Sequence, residues 1–270
     1  MKKHKRGFTL IEVSIFLAIT GLLFLGVTIG VQNSIYQQRY RDAVESFADY
    51  LRDVYASVLN VQSNGTGRTG EAIYGKLLTF KESTRAGEVV NDDRGQVIYD
   101  YTIIGKAVPA VELQNGNTRE LLNALEVNVL RKEKESDSGI EKFVPVGIIG
   151  EYTPKWGTRV QNKSNFNDFG GSIMIVRDPK SGTVRTYLYD GVIEVNEKLK
   201  NNSADLANLL GGKIADSNGF KPAEIDFCID PDGTEPSNNR TNVRIIEGAS
   251  NASGVEIVEL DSNENECNRG

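Results

Sequence analysis

From Phe8 to Val31 the chain is overwhelmingly apolar, and its only charged residue over that stretch is Glu12. As a helix this run measures about 36 Å at ~1.5 Å per residue, enough to cross the hydrocarbon core of a bilayer. A short basic leader precedes it, with Lys2, Lys3, Lys5 and Arg6. Lysine and arginine stay on the cytoplasmic side, so the remainder of the chain is expected outside. Glu12 does not suit a plain anchor, because an ionised carboxylate in lipid costs several kcal/mol or must neutralise itself. A secretory signal fits no better. It would end in a small-residue cleavage site, whereas Gly30-Val31-Gln32-Asn33-Ser34 follows here.

The helical pattern continues beyond the apolar run. Tyr40, Val44, Phe47, Leu51, Val54 and Val58 recur at steps of four and three, which places them on one face. Arg41, Asp42, Glu45, Asp49, Arg52 and Asp53 fill the rest of the surface. Neither proline nor glycine interrupts residues 31–60, so one helix is expected from Phe8 to about Asn60, ending before Ser63-Asn64-Gly65-Thr66-Gly67. The apolar stripe suits either a coiled-coil seam or a core face. It is short for the former, and packing on the chain's own head is the expectation.

From Ala72 onward the pattern turns to antiparallel β. Strands are expected over Val97–Ile104, Leu125–Leu130 and Phe143–Ile149, the last crossed by Pro145 and therefore at an edge or a bend. Ser172–Asp178 and Thr183–Asp190 read as a hairpin, and Glu224–Ile229, Asn242–Glu247 and Gly254–Leu260 as three late strands. A short helical turn is expected at Ala204–Leu210. Thr84–Gly95, Lys132–Lys142 and Lys155–Gly171 read as polar loops. A long helix followed by strands predicts an α+β fold with the helix packed on antiparallel sheet.

The sole histidine, His4, lies in the basic leader. Beyond that leader, Ser-His-Asp and Cys-His catalysis and histidine metal sites are excluded, and no enzymatic activity and no cofactor are expected. Formal net charge is −6, which offers no bulk attraction for nucleic acid. The two cysteines, Cys228 and Cys267, are expected to pair if the head lies outside the cytoplasm. Asp230, Asp232 and Glu235 surround Pro231 and Gly233. This cluster matches part of a calcium loop and equally a simple β-turn.

The junction Lys5-Arg6-Gly7-Phe8-Thr9-Leu10-Ile11-Glu12-Val13 resembles the N-terminus of type IV prepilins, the class III signal of pilins and type II secretion pseudopilins. The resemblance implies cleavage after Gly7 by a prepilin peptidase and N-methylation of the new terminal residue, Phe8. It also implies an assembly role for Glu12, beside the terminal amine of a neighbouring subunit. Loss of the four leader charges would take the net charge from −6 to −10. The implied organisation is a leader over 1–7, a transmembrane and filament-core helix over 8–31, its amphipathic continuation over 32–61 and an extracytoplasmic head over 62–270. The protein would sit in the cytoplasmic membrane with a single pass before joining a surface pilus. Its partners would be other pilin subunits. The resemblance has one departure: major pilins carry a proline about two thirds along the apolar segment, where Ile29 stands here. A minor subunit is therefore expected, with a secretion pseudopilin as the alternative. The segments Asp226–Gly233, Asn242–Ile246 and Gly254–Ile257 are similar to the end of GspH/FimT-type minor pilins, some of which bind DNA through a Gly-Arg-x-Arg motif. Here Thr234 and Glu235 follow Gly233, leaving Arg240 and Arg244 as the nearby candidates for a competence-type, DNA-binding role.

Overall fold

A computed structural model describes residues 10–60, 71–81, 84–85, 88–89, 96–106, 128–134, 141–145, 150–163, 167–177, 182–193, 220–231, 240–258 and 267. Among the described residues the first element is one long α-helix, α1 (Leu10–Leu59). Among the described residues the strands that follow are β1 (Glu71–Lys81), β2 (Thr84–Arg85), β3 (Glu88–Val89), β4 (Val97–Lys106), β5 (Asn128–Lys134), β6 (Glu141–Pro145) and β7 (Gly150–Tyr152), then β8 (Arg159–Asn162), β9 (Ser172–Arg177), β10 (Val184–Tyr189), β11 (Ile225–Asp230), β12 (Thr241–Ile245) and β13 (Val255–Val258). The chain divides into two compact units, Met1–Asp42 and Ala43–Gly270, and α1 contributes residues to both.

Within the C-terminal unit every strand pairing is antiparallel. A seven-stranded sheet has the order β10-β9-β1-β4-β5-β6, with β7 pairing alongside β4. A four-stranded sheet has the order β13-β12-β11-β8, and β2 pairs with β3 alone. Residues 43–59 of α1 pack on both larger sheets, as the stripe predicts. Val44, Phe47, Leu51, Val54 and Val58 are all buried. The Phe47 ring meets Phe80 of β1 at 6.5 Å and Phe227 of β11 at 5.3 Å, both edge-on. Phe80 stacks on Phe227 at 5.4 Å, and Phe169 closes the group against both. Edge-to-face aromatic groups of this kind add specific attraction to a large buried apolar area.

Polar groups fix the helix at two further points. Tyr55 donates its hydroxyl to Thr186 Oγ1 at 2.5 Å, and Thr186 donates onward to the Ala249 carbonyl. Burial pushes the Tyr55 hydroxyl up to about 12, with the Thr186 hydrogen bond opposing it. At the helix end, Arg177 Nη1 donates to the Leu59 carbonyl at 2.8 Å, which satisfies a carbonyl that has no partner further along the helix.

Two local features are set by backbone geometry. The β1–β4 register shifts between Ile73 and Gly75, and a Cβ at Gly75 would lie 2.5 Å from the Ile175 carbonyl oxygen. Only glycine fits where β9 approaches the bulge so closely. Between β7 and β8, the turn Lys155–Gly157 holds Trp156 at φ 61°, ψ 26°. It is the one non-glycine residue with positive φ among the described residues. For a bulky side chain that conformation costs of order 1–3 kcal/mol.

Several sequence expectations shift. The strand expected at Leu125–Leu130 is seen as Asn128–Lys134, and the one expected at Phe143–Ile149 as Glu141–Pro145. β6 is an edge strand that ends on Pro145, consistent with proline's missing donor. The polar segment Lys155–Gly171 is not wholly loop. It contains β8, which pairs with β11 over Phe227–Asp230. Its other edge is held partly by a side chain: Gln96 donates to the Val160 carbonyl at 2.9 Å and accepts from the Val160 amide at 2.7 Å. The segment Thr84–Gly95 likewise contains the short β2–β3 pair. The turn expected at Ala204–Leu210 lies outside the described residues.

Candidate functional site

Glu12 lies in the first turn of α1, with the exposed side chains of Leu10, Ile11, Val13, Ile15 and Phe16 around it. The helix is long and apolar enough to cross a membrane by length and composition, and none of its most apolar window is buried against the protein. Its hydroxyls are adapted to an apolar solvent. Ser14 donates to the Ile11 carbonyl, Thr20 to Phe16 and Thr28 to Phe24, at 2.6–2.9 Å. Each of these three hydroxyls is thus satisfied inside the helix and adds no unmet hydrogen bond to its surface. Glu12 is the exception in kind, being the only ionisable group in the run from Phe8 to Val31. Gly21, Gly26 and Gly30 each have nothing within 4 Å of an added Cβ. Nothing in the single chain therefore requires glycine there, where each costs about 1 kcal/mol of helix propensity against alanine. Gly7, Phe8 and His4 lie outside the described residues.

The second group of candidates lies on the four-stranded sheet. Cys228 and Cys267 form a disulfide with Cα atoms 5.5 Å apart and a sequence separation of 39. Both cysteines are buried. On the loop-entropy model a bridge of this span contributes about 3–4 kcal/mol.

Two positions along β11 lies Asp226, whose side chain is fully removed from solvent. Its Oδ1 accepts from Arg244 Nε at 2.8 Å and from Asn242 Nδ2 at 2.7 Å, and its Oδ2 accepts from Lys163 Nζ at 2.8 Å. Burial alone would raise its pKa. The hydrogen bonds from Lys163, Asn242 and Arg244 outweigh that and hold the carboxyl below the ordinary aspartate value.

Both arginines named as DNA-binding candidates lie near carboxylates. Arg244 pairs with Asp226 and, at 3.5 Å, with Glu224, and Arg240 approaches Asp230 at 3.6 Å. Both guanidinium side chains are largely buried, at 13% and 16% exposure. Each thus lies against at least one carboxylate of the head. Asp230 is committed as well, since its Oδ2 accepts from Gln161 Nε2 at 3.1 Å. Asp232 and Glu235 lie outside the described residues, so the calcium arrangement is not assembled by what is seen.

Sequence reading missed the Asp226 network and the Trp156 turn. An acid, an amide and two bases spread over residues 163–244 show no spacing signal, because sheet pairing is what brings them together. Trp156 is the only tryptophan in the chain, but its backbone conformation leaves no mark in the sequence.

Comparison with known protein families finds a match at the N-terminus. Residues 2–28 fit the prokaryotic N-terminal methylation motif, which supports a type IV pilin-like prepilin signal at the N-terminus. No curated protein and no solved structure matches the chain. The similarity of the C-terminal segments to GspH/FimT-type proteins gains no support from these comparisons.

Proposed function

We propose that this chain is a filament subunit of the type IV pilin class, and more narrowly a minor pilin that primes, caps or inserts into a pilus. The observation that carries the proposal is the methylation motif over residues 2–28, leading into a helix whose later residues form the core of an antiparallel β head. The two parts have separate tasks. The apolar segment holds the protein in the cytoplasmic membrane before assembly and then packs among other subunits' helices, while the head faces outward. Prepilin peptidase would cut after Gly7 and Phe8 would be N-methylated. In lipid the Glu12 carboxylate is costly, and a neighbouring subunit's terminal amine would offset that cost in the assembled filament. Ile29 in place of the usual proline favours a low-abundance subunit over a major one. The reading needs no catalytic group and no cofactor. Engagement of Arg240 and Arg244 by Asp230, Glu224 and Asp226 speaks against the competence-type, DNA-binding alternative. A type II secretion pseudopilin would use the same helix and the same signal. Isolating the filament that contains the protein, pilus or secretion pseudopilus, separates the two.

The test is Glu12→Ala. Membrane insertion and head folding should be retained while the amount recovered in filaments falls at least tenfold, the equivalent of about 1.4 kcal/mol. Incorporation equal to that of the unaltered protein would remove Glu12 from assembly.

A further inference from the structure

Where α1 packs beside β4 and β7, the contact is partly polar. Tyr50 stacks on Tyr152 of β7, with ring centroids 4.3 Å apart and planes 12° from parallel. The Tyr152 hydroxyl donates to Ser46 Oγ at 3.4 Å. Asp100 of β4 stands opposite Gly150 of β7 in the sheet register, and its Oδ2 accepts from Lys76 Nζ of β1 at 2.8 Å. The Lys76 and Asp100 side chains are only 12% and 15% exposed. Burial, and after it the charge of Asp100 and the nearby Tyr152, hold the Tyr50 hydroxyl far above the ordinary tyrosine range, so it stays a neutral donor.

Two atoms of this cluster have unmet capacity. The Tyr50 hydroxyl and Asp100 Oδ1 are both closed to solvent, and neither has a hydrogen-bond partner among the described residues. They are complementary, a neutral donor and an anionic acceptor. Each costs about 1–3 kcal/mol if left unpaired, and native interiors seldom tolerate that. Lys76 adds donors of its own, since its ammonium carries three N–H groups and one is committed to Asp100. Room exists at the carboxylate as well. A Cβ placed on Gly150 would lie 3.6 Å from Asp100 Cβ and 3.8 Å from its Oδ2, both ordinary contacts. A methyl-sized group therefore fits there, and a water molecule is no larger.

We propose that Tyr50, Asp100 and Lys76 form an internal water-binding site. One water accepts from the Tyr50 hydroxyl and from Lys76 Nζ and donates to Asp100 Oδ1, which gives it the roughly three hydrogen bonds that buried waters make. The chemistry selects this ligand. A metal cation would meet the Lys76 ammonium at the same carboxylate, and a larger molecule would need atoms that are closed to solvent. The site places a hydrated polar seam between α1 and the β1–β4 pair, next to the aromatic group of Phe47, Phe80 and Phe227. It does not depend on the filament reading.

Tyr50→Phe, made in the full chain in detergent micelles, tests the site by the sign of its effect. If the hydroxyl holds a water, its loss breaks that bond and strands the other two, and the unfolding equilibrium constant should rise about fivefold. If the hydroxyl is simply unpaired, removing it deletes a desolvated group, and the constant should fall or stay unchanged. The second measurement is NMR of the unaltered chain with labelled tyrosines. The Tyr50 hydroxyl proton, assigned by its disappearance in Tyr50→Phe, should show cross-relaxation to a water proton. Unchanged or increased stability of Tyr50→Phe would overturn the site, and so would a hydroxyl proton that relaxes only to protein protons. Neither measurement involves assembly, so failure here leaves the filament reading untouched.

Discussion

Asp226 shows what a buried charge requires in this head. Three donors reach its two oxygens, and they join β11 to β12 and to the turn after β8. Removing the carboxylate would leave Arg244 largely buried with a weaker set of acceptors, and one-sided loss of a buried pair is strongly destabilising. Lys163 is 40% exposed, so solvent screens its share of the interaction. Asp226→Asn is expected to cost about 2 kcal/mol near neutral pH, read from chemical denaturation. The pH dependence follows from the lowered folded-state pKa. The stabilisation is fully present above the unfolded aspartate value, about 3.9, and is lost as pH falls through the folded-state value. Acid unfolding of the Asp226→Asn protein should therefore show a shallower loss of stability below about pH 4. An identical acid limb in both proteins would contradict the network.

At the scale of elements, α1 supplies core residues to the head from Ala43 to Val58. Phe47 is almost fully buried and touches Phe80, Phe227 and Tyr152. Phe47→Ala should destabilise by about 3–5 kcal/mol and lower Tm by roughly 10 °C, whereas a coiled-coil role for that face would leave the head's Tm unchanged. The disulfide makes the second element-scale prediction. The folded protein should show no titratable thiol until reduced, and reduction should cost about 3–4 kcal/mol; two reactive thiols in the native protein would exclude the bridge. Legibility in the sequence tracked the source of each element's stability. The Val44–Val58 stripe, the β9–β10 hairpin and β11 to β13 were readable, because apolar periodicity and β-branched runs carry them. β8 was not, since it has one core residue, Val160, and depends on the distant Gln96 amide. The carboxylate partners of Arg240 and Arg244 were not legible, because they become neighbours only through pairing within the four-stranded sheet. Glu12 stands out in the sequence because an acid in an apolar helix needs no tertiary context to be conspicuous.

At the scale of the whole molecule, the chain combines a surface suited to lipid with a head that has its own core. The apolar residues 10–25 have no cover of their own, and burying them in lipid or among other helices supplies a strong driving force. The head meanwhile is closed by aromatic packing, the Asp226 network and one disulfide. Anchoring first and assembling later is what such a division permits. The central claim is that the N-terminus is processed as a prepilin, and intact-mass measurement with N-terminal sequencing of protein recovered from cells tests it most directly. The account predicts a mature chain that begins at Phe8, carries one methyl group on its terminal amine and has lost His4. A recovered protein that keeps Met1 when assembled, or that is cut beyond Val31, would contradict it.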